Sequence, residues 1–155
     1  VNIQGDEPLI DPKLLDELVG VLASDTKWDM ATAAEVIDDE RLAGKSSVVK
    51  VVCNAEGGAL YFSRAVIPFE RDKTAEGKVR RLRHIGVYAY RRDFLMRFVK
   101  EPPCLLENTE KLEQLRALYM GAMIKVVETQ TTGIGVDTPE DVAIVEKLLL
   151  KLKNK

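Results

Sequence analysis

The chain of 155 residues has few of the residues from which disulfide-bonded, metal-binding or nucleic-acid-binding proteins are built. Its 2 cysteines and 1 histidine are too few for a disulfide framework or a zinc cluster, and a reducing cytoplasm is the expected compartment. With 23 basic and 25 acidic residues the net charge is −2, so no bulk positive field attracts nucleic acid or an anionic membrane. No apolar run reaches the roughly 18 residues of a membrane span. These absences predict a soluble globular domain in which any anion is bound locally.

Recognisable catalytic signatures are absent as well. The sequence has no glycine-rich dinucleotide motif, no Walker A motif, no zinc-ligand spacing and no nucleophile elbow.

The sequence begins directly on a strand pattern, Val1 to Ile3, with no initiator methionine and no leading helix. We therefore expect a fragment. Its first strand should lie at an exposed edge, although such a run before a polar loop is typical of a buried parallel strand.

The patterns that are present alternate between strand and helix periodicity and predict an α/β fold with a mixed sheet in one domain, residues 1–155. Region 44–83 interrupts the alternation with a glycine-marked hairpin, and it is expected to form an inserted β-rich region that ends in an exposed charged loop at 70–83. The expected helices cover about 12–24, 92–99 and 108–120, with a fourth after Thr138; the expected strands cover 1–3, 30–37, 48–53, 59–63, 84–90 and 123–128.

The strand at 84–90 has two different faces. Because side chains alternate along a strand, His84, Tyr88 and Tyr90 share a polar aromatic face, whereas the apolar residues between them face a core. The helix expected at 108–120 is amphipathic in the same way. It should bury its leucines and Tyr119, and it should group three polar residues on the opposite side: Glu110, Glu113 and Gln114.

Two aspartates stand at matching points of the chain, because each follows a short apolar run and precedes a helix pattern. Asp6 follows the run that ends at Ile3, and Asp137 follows Val136 directly before a capping motif that begins at Thr138. If the two runs are near each other in the sheet, their carboxylates converge at one edge and suit Mg²⁺ that bridges substrate phosphates. The simpler alternatives are a turn residue for Asp6 and a helix cap for Asp137. Thr138 already fits the cap, which leaves Asp137 without a structural role.

The other candidates have ordinary structural interpretations as well. His84 has no sequence neighbour that indicates a triad or a metal cluster, so a core or surface histidine is the simpler interpretation, and Tyr88 is by default a packing residue. Arg64 and Arg71 carry guanidinium groups that suit carboxylates or phosphates, although most arginines are simply solvated. The residue pattern alone therefore predicts an α/β domain with a candidate metal-binding edge.

Five segments of the chain form one pattern when they are taken in order. They are Asn2-Ile-Gln-Gly-Asp-Glu-Pro8, Leu60-Tyr-Phe-Ser-Arg-Ala-Val-Ile-Pro68, Arg83-His-Ile-Gly-Val-Tyr88, Leu112-Glu-Gln-Leu-Arg116 and Gly135-Val-Asp-Thr-Pro-Glu-Asp141. Together they resemble the family of 3-deoxy-manno-octulosonate cytidylyltransferases. Each segment is a modest signal, whereas five in register are a specific one. The resemblance runs over essentially the whole chain and corresponds to the C-terminal three-fifths or so of such an enzyme.

The resemblance implies a fold and a reaction. Members of that family have a nucleotidyltransferase fold of the glycosyltransferase-A type, with a small β-rich region through which they form homodimers. The implied reaction transfers CMP from CTP to 3-deoxy-manno-octulosonate (Kdo), releases pyrophosphate, requires Mg²⁺ and serves lipopolysaccharide synthesis in the cytoplasm.

The resemblance also implies roles for particular residues. Asp6 and Asp137 correspond to a catalytic pair of metal ligands. The residues implied to contact the sugar are Gln4, Arg64, Arg71, His84, Tyr88, Glu113 and Gln114. Within that set the arginines would bind the sugar carboxylate, and Glu113 and Gln114 would bond its hydroxyls.

Two departures from the family pattern bear on function. The glycine- and arginine-rich phosphate-binding segment is absent from this sequence, so the 155 residues alone are expected to be inactive. Lys45-Ser46-Ser47 also replaces the usual Asn-Pro-Asn, and the loop at 72–83 is short, which puts the identity of the sugar in question. The alternatives are therefore a cytidylyltransferase for another acid sugar, an acylneuraminate or an amino-substituted Kdo, or a non-catalytic interaction domain whose carboxylates are caps.

Overall fold

A computed structural model describes residues 1–3, 9–72 and 79–130, together with 142, 143, 145 and 146, which are helical. The helices are α1 Pro12–Ser24, α2 Glu40–Ala43, α3 Arg92–Phe98, α4 Leu105–Glu110 and α5 Gln114–Tyr119. The strands are β1 Asn2–Ile3, β2 Met30–Val36, β3 Lys50–Cys53, β4 Ala59–Ser63, β5 Leu82–Tyr90 and β6 Ile124–Glu128. The capping motif expected at Thr138 and most of the helix after it lie outside the described residues.

The strands form one mixed sheet in the order β4-β3-β5-β2-β6, with β1 added beside β5. The β2–β6 pair is parallel, and the pairs β1–β5, β2–β5, β3–β4 and β3–β5 are antiparallel. The expected α/β fold with a mixed sheet is therefore confirmed. The hairpin β3–β4 is continuous with this sheet through the pairing of β3 with β5, rather than forming a second layer.

Strand β5 is the centre of the sheet. One of its edges pairs with β2 along the whole of β2, and the opposite edge is shared between β3 at Leu82 and Arg83 and β1 at Val87 and Tyr88. The expectation of a buried parallel strand at the start of the chain is wrong for β1, which is antiparallel to β5 and exposed. The expectation of an exposed edge is confirmed, because Ile3 is 45% exposed and has no covering layer among the described residues.

One side of the sheet, which we call the α1 face, is covered by helix α1. The helix begins as expected: the Asp11 side chain accepts a hydrogen bond from Lys13 N, and Pro12 occupies the first turn. Leucines at helical spacing pack on small and branched residues of β2 and β5, each adding about 1.5–3 kcal/mol of burial. The cluster comprises Leu14, Leu18, Leu22, Trp28, Ala31, Ala33, Ile85, Val87 and Ala89.

The opposite side, which we call the aromatic face, packs against α3, α4 and α5. Its buried residues are Met30, Ala34, Val51, Phe62, Leu82, Tyr88, Phe94, Phe98, Leu112, Leu115, Ala117, Ala122, Ile124 and Val126. The division of β5 between the two faces follows the predicted alternation, since Ile85, Val87 and Ala89 face α1 and Tyr88 and Leu82 face the other core. The polar aromatic side of β5 is thus a second core face, not a solvated one.

The prediction of one helix over 108–120 is wrong. Lys111 adopts a left-handed conformation with φ 54°, which ends α4 and separates it from α5. The break turns the polar residues in different directions, so that the carboxylate of Glu110 meets the hairpin, Gln114 is buried and Glu113 is exposed. Tyr119, expected to face inward, is 67% exposed. The expected common polar face therefore does not exist.

The turn of the hairpin reaches the far edge of the sheet. Gly57 has φ 74°, as the glycine-marked turn predicts, and its carbonyl accepts a hydrogen bond of 2.8 Å from Val126 N. Gly58 is required for another reason, because a Cβ there would lie 3.1 Å from the Trp28 ring. Gly58 also forms an isolated bridge with Lys125 of β6. The turn thereby covers the outer edge of β6.

The segment 70–83 is not uniformly an exposed loop, as the sequence predicts. Residues 73–78 lie outside the described part, but the side chain of Arg81 is only 5% exposed and pairs with Glu40 at 2.7 Å and Glu70 at 3.7 Å. Leu82 and Arg83 already belong to β5, where Arg83 pairs with Glu35 at 2.7 Å. A charge-rich sequence here encodes ion pairs between elements, and the Arg81 side chain is buried although its partner Glu40 is 61% exposed.

Candidate active site

The described residues include most, but not all, of the candidate site. Gln4, Asp6 and Asp137 lie outside them, so the proposed metal pair stays a prediction. Among the described residues no group of three or more His, Cys, Asp or Glu side chains could hold a metal ion. The site can therefore be built from its sugar-contact candidates, beginning with those on β5.

A row of aromatic rings runs along β5 on the aromatic face. The centroid of the His84 ring lies 5.4 Å from that of Tyr88, and Tyr88 lies 6.0 Å from Tyr90. Phe62 of β4 closes one end of the row at 5.0 Å from His84, and Phe98 of α3 closes the other at 6.2 Å from Tyr90. The prediction that His84 and Tyr88 share a face is confirmed, and the row holds both rings in fixed positions.

His84 is held by a residue that the sequence did not single out. Its Nε2 lies 2.9 Å from the hydroxyl of Thr32 on the neighbouring strand β2. Burial lowers the pKa of His84 to about 3, so the imidazole is neutral at neutral pH. A neutral ring cannot act as a cationic contact for phosphate or carboxylate. The neutral ring can accept a hydrogen bond from a hydroxyl through one nitrogen and donate one to a hydroxyl through the other.

The tyrosines of the row are also neutral. Burial raises the pKa of Tyr88 above its usual value, and it raises the pKa of Tyr90 to about 12; the negative charge of Glu113 acts in the same direction on both. Each phenol therefore keeps its proton at neutral pH and can donate it in a hydrogen bond. The electrostatic effect also shows that the Glu113 carboxylate lies near this end of the row.

Two polar side chains of the aromatic face make no hydrogen bond within the part of the chain that the structure describes. They are Tyr88, which is 8% exposed, and Gln114, which is 5% exposed. Neither the phenol nor the amide belongs to the fully enclosed atoms that lack a partner. Polar atoms of this kind can bond a ligand that approaches the face.

A cleft of about 460 Å³ opens at this end of β5, between β1, α3 and α5. Tyr90 and Phe98 form its aromatic wall, and the carboxylate of Glu113 and the guanidinium of Arg116 are its charged groups. Arg116 is fixed there, because it lies 4.4 Å above the Phe98 ring and pairs with Glu107 at 3.1 Å. The cleft thus combines an aromatic wall with both donors and acceptors, as a polar organic ligand requires.

The two arginines implied to bind the sugar carboxylate have different environments. The guanidinium of Arg64 is hydrogen-bonded within the protein. Its Nε donates to the Glu110 carbonyl at 2.7 Å, and a terminal nitrogen donates to the Ser46 carbonyl at 2.9 Å. Arg71 is exposed and makes no hydrogen bond or ion pair with any described residue. Arg64 therefore holds the hairpin against the end of α4, whereas the guanidinium of Arg71 has no partner among the described residues.

Comparison with known proteins assigns this fold to a family. Residues 1–127 match the family model described as cytidylyltransferase. The chain belongs to the cytidylyltransferase family. All described candidates of the site fall inside the matched range, whereas Asp137 falls beyond it.

Individual cytidylyltransferases resemble the chain closely. It is 52% identical to the 3-deoxy-manno-octulosonate cytidylyltransferase of Bdellovibrio bacteriovorus, over 96% of this chain and 61% of that protein. It is 50% identical to the protein of the same name from Geobacter sulfurreducens, over 99% of this chain and 63% of that protein. Among solved structures, CMP:2-keto-3-deoxy-manno-octonic acid synthetase complexed with CTP matches with a TM-score of 0.88 and 41% identity, over 97% of this chain and 61% of that one.

These matches confirm the resemblance to the family and the nucleotidyltransferase-like fold. They also set a limit on what this cytidylyltransferase chain contains, because it spans about three-fifths of the length of the curated relatives that it matches. No helix of the described residues is long and apolar enough to cross a membrane.

Proposed function

We propose that the protein to which this chain belongs transfers CMP from CTP to Kdo and releases pyrophosphate. The observation that carries the proposal is a cleft that has Tyr90 and Phe98 as its aromatic wall and Glu113 and Arg116 as its charged groups. A sugar offers hydroxyls to such groups and an apolar ring face to the aromatic wall. The relatives named for Kdo and the solved structure named for CTP support this choice of substrates.

The described residues would bind and orient the sugar rather than exchange protons with it. His84, Tyr88 and Tyr90 are neutral at neutral pH and are fixed by ring contacts, so they serve as hydrogen-bonding groups that need no reorganisation. Glu113 would accept a hydrogen bond from a sugar hydroxyl. The exposed Arg71, whose guanidinium has no partner among the described residues, is the better candidate for the sugar carboxylate, and Arg64 would support it by holding the hairpin in place.

We further propose that Asp6 and Asp137 hold Mg²⁺. Two carboxylates in segments that precede helix patterns have the oxygen chemistry that Mg²⁺ prefers, with substrate phosphates completing the coordination. When bound there, the ion would neutralise phosphate charge during the transfer. The role of this chain's residues would be to hold the ion and the sugar hydroxyl at fixed positions relative to each other.

The proposed assembly is a homodimer in the cytoplasm. Three apolar side chains of the hairpin region are exposed, Leu60 at 59%, Val66 at 39% and Phe69 at 83%, and a second copy of the region would cover them. Cys53 and Cys104 are both free thiols, in agreement with a reducing compartment. The replacement Phe69→Asp should shift the protein towards monomer in sedimentation, whereas Tyr119→Asp, at another exposed aromatic, should not.

The reaction is tested by measuring pyrophosphate release with CTP and Kdo, using the chain extended to the full length of its relatives. We expect release with Kdo, and a several-fold lower specificity for an acylneuraminate or for an amino-substituted Kdo. If the enzyme prefers one of these two competitors, that sugar and not Kdo is the substrate. If none of these sugars supports pyrophosphate release, the proposed cytidylyltransferase activity is contradicted and a non-catalytic interaction domain is favoured.

The metal proposal needs its own variants. Asp6→Asn and Asp137→Asn should each reduce pyrophosphate release at least a hundredfold, and the loss should be smaller at high Mg²⁺ concentration. Asp11→Asn is the matched control, because Asp11 only caps α1 and asparagine caps equally well. An unchanged Mg²⁺ dependence in both site variants would exclude these aspartates as ligands.

A further inference from the structure

The hydroxyl of Thr32 makes contacts that no packing role requires. Thr32 is completely buried in the centre of β2, on the aromatic face. Its Oγ1 lies 2.8 Å from the carbonyl oxygen of Val87, 3.3 Å from that of Ile85 and 2.9 Å from Nε2 of His84. One hydroxyl therefore lies between two carbonyl acceptors and an imidazole nitrogen.

The two carbonyls are available because the β2–β5 ladder is irregular at this point. Thr32 is opposite Tyr88 while the next residue, Ala33, is opposite Ile85, so β5 has two extra residues between these partners. A bulge of this kind leaves backbone groups without their ladder partners and redirects neighbouring side chains. Here the Thr32 hydroxyl satisfies the carbonyls that the bulge releases. The bulge also lies where β1 pairs with Val87 and Tyr88.

The arrangement fixes where the proton of His84 resides. A threonine hydroxyl has one proton and two lone pairs. Its proton is directed to the carbonyls, which accept and cannot donate, so only a lone pair remains for the imidazole. Two lone pairs facing each other at 2.9 Å would repel, and Nε2 must therefore carry the proton. In the neutral ring Nδ1 is then the acceptor, and it makes no hydrogen bond within the described residues.

We propose that Thr32 is a positioning residue that holds His84 in its Nε2–H tautomer, so that Nδ1 is presented as an acceptor for a hydroxyl of the acidic sugar. The part that concerns the sugar rests on the proposed function. The part that concerns the tautomer rests only on the bulge and on the three distances at Thr32. The lone pair of Nδ1 would complement the phenol donor of Tyr88 on the same face.

The tautomer can be measured without substrate. In histidine-selective ¹⁵N labelling, the shifts of the two ring nitrogens report which of them carries the proton, and His84 is the only histidine of the 155 residues. In a longer chain its signal is assigned by its loss in His84→Gln. We expect the Nε2–H form in the wild type and in Thr32→Ser, and a shift to a mixture or to Nδ1–H in Thr32→Val. Thr109→Val, which removes an exposed hydroxyl in α4, is the control and should change nothing.

A wild-type signal of the Nδ1–H form overturns the proposal, and so does an unchanged tautomer in a folded Thr32→Val. If Thr32→Val does not fold, the wild type and Thr32→Ser decide, because an Nδ1–H form in either contradicts the argument from the single hydroxyl proton.

The role towards the sugar is tested by kinetics in the chain extended to the length of its relatives. Thr32→Val should raise KM for the sugar about fivefold, the loss of roughly one hydrogen bond, and leave KM for CTP unchanged, while Thr32→Ser restores the wild-type value. An equal rise of both KM values overturns the positioning role. No pyrophosphate release by the wild type with any acid sugar contradicts the proposed function itself, and the tautomer measurement still decides the role of Thr32.

Discussion

The two faces of the sheet are built differently. The α1 face is a cluster of leucines on alanines, Ile85 and Val87, and the indole nitrogen of Trp28 is the one polar side-chain atom of its buried residues. The aromatic face contains His84, Tyr88, Thr32 and Gln114 among its apolar residues, and two of these polar groups have no partner within the described residues. The first face is an apolar core, whereas the second has polar side chains within its core.

The difference between the two faces indicates which of them is suited to carry a binding site. The packing of the α1 face is apolar, so its residues can be exchanged for others of similar volume. On the aromatic face each polar group needs a fixed orientation, and this is supplied by the bulge, the ring contacts and the break between α4 and α5. Four predictions test the comparison, from the largest effect to the smallest.

The α1 face should respond to mutation through stability alone. Leu18 is completely buried at the centre of the cluster, and Leu18→Ala should cost roughly 2–5 kcal/mol of the free energy of unfolding. Denaturant titration measures the loss. Val19→Ala, at the exposed neighbour in the same helix, should change it by about 0.5 kcal/mol or less. A change in KM for the sugar in folded Leu18→Ala would show that the two faces are coupled.

On the aromatic face, mutations of two carboxylates should have different effects: one should change stability and the other should change sugar binding. Glu110 accepts hydrogen bonds from Ser63 Oγ at 2.6 Å and from Arg64 N at 2.9 Å, so Glu110→Ala should cost about 2 kcal/mol of stability. Glu113 makes no such bond within the described residues, and Glu113→Ala should leave stability within about 0.5 kcal/mol. It should instead raise KM for the sugar. If Glu113→Ala lost stability and Glu110→Ala raised KM for the sugar, the proposed role of Glu113 in sugar binding would be contradicted.

The half-buried imidazole of His84 should make the aromatic face sensitive to acid. The pKa of His84 is about 3 in the folded protein and about 6.5 in an unfolded chain, so between these values the unfolded chain binds more protons. Stability is therefore intact above pH 6.5 and falls as the pH falls towards 3. Relative to His84→Gln, which cannot titrate, the wild type should lose about 1–2 kcal/mol between pH 7 and pH 5. Parallel stability profiles of the two proteins would show that His84 is not buried in this way.

Surface charges should contribute to neither face. Arg41 pairs with Asp39 at 2.9 Å, but its side chain is 89% exposed. Arg41→Ala should change the free energy of unfolding by about 0.5 kcal/mol or less, and the same should hold in high salt. A larger loss, measured by denaturant titration, would indicate that this pair stabilises the short helix α2 more than a solvated ion pair can.

The α1 face could be predicted from the sequence, and the aromatic face could be predicted only in part. Capping and helical spacing are local, so the bounds of α1 were correct, and the alternation along β5 correctly separated His84 from Ile85. The left-handed Lys111 could not be predicted, because no glycine or asparagine marks it. Without that break the polar residues of α4 and α5 would share one helix face.

Buried charges were missed for a related reason. Lys50 was placed in an ordinary strand, yet it is completely buried and its ammonium donates to the carbonyls of Lys45, Val48 and Arg64. Burial lowers the pKa of this lysine. Arg81 was assigned to an exposed loop, but its side chain is only 5% exposed and pairs with Glu40, whose side chain is 61% exposed. Arg64 is 14 residues from Lys50 and Glu40 is 41 residues from Arg81, so no local pattern reveals these partners. The same is true of Thr32 and the bulge.

The central position of β5 also decides when the sheet can form during synthesis. Thr32 and His84 are 52 residues apart, and β1, β2 and β3 all precede the strand with which they pair. At about 5–20 residues per second the ribosome needs roughly 3–10 s to make that stretch. Until β5 emerges, α1 can pack on β2 but lacks Ile85, Val87 and Ala89, which complete its apolar cluster. The nascent chain therefore exposes part of the apolar surface of α1 for seconds, the interval in which a chaperone would bind it.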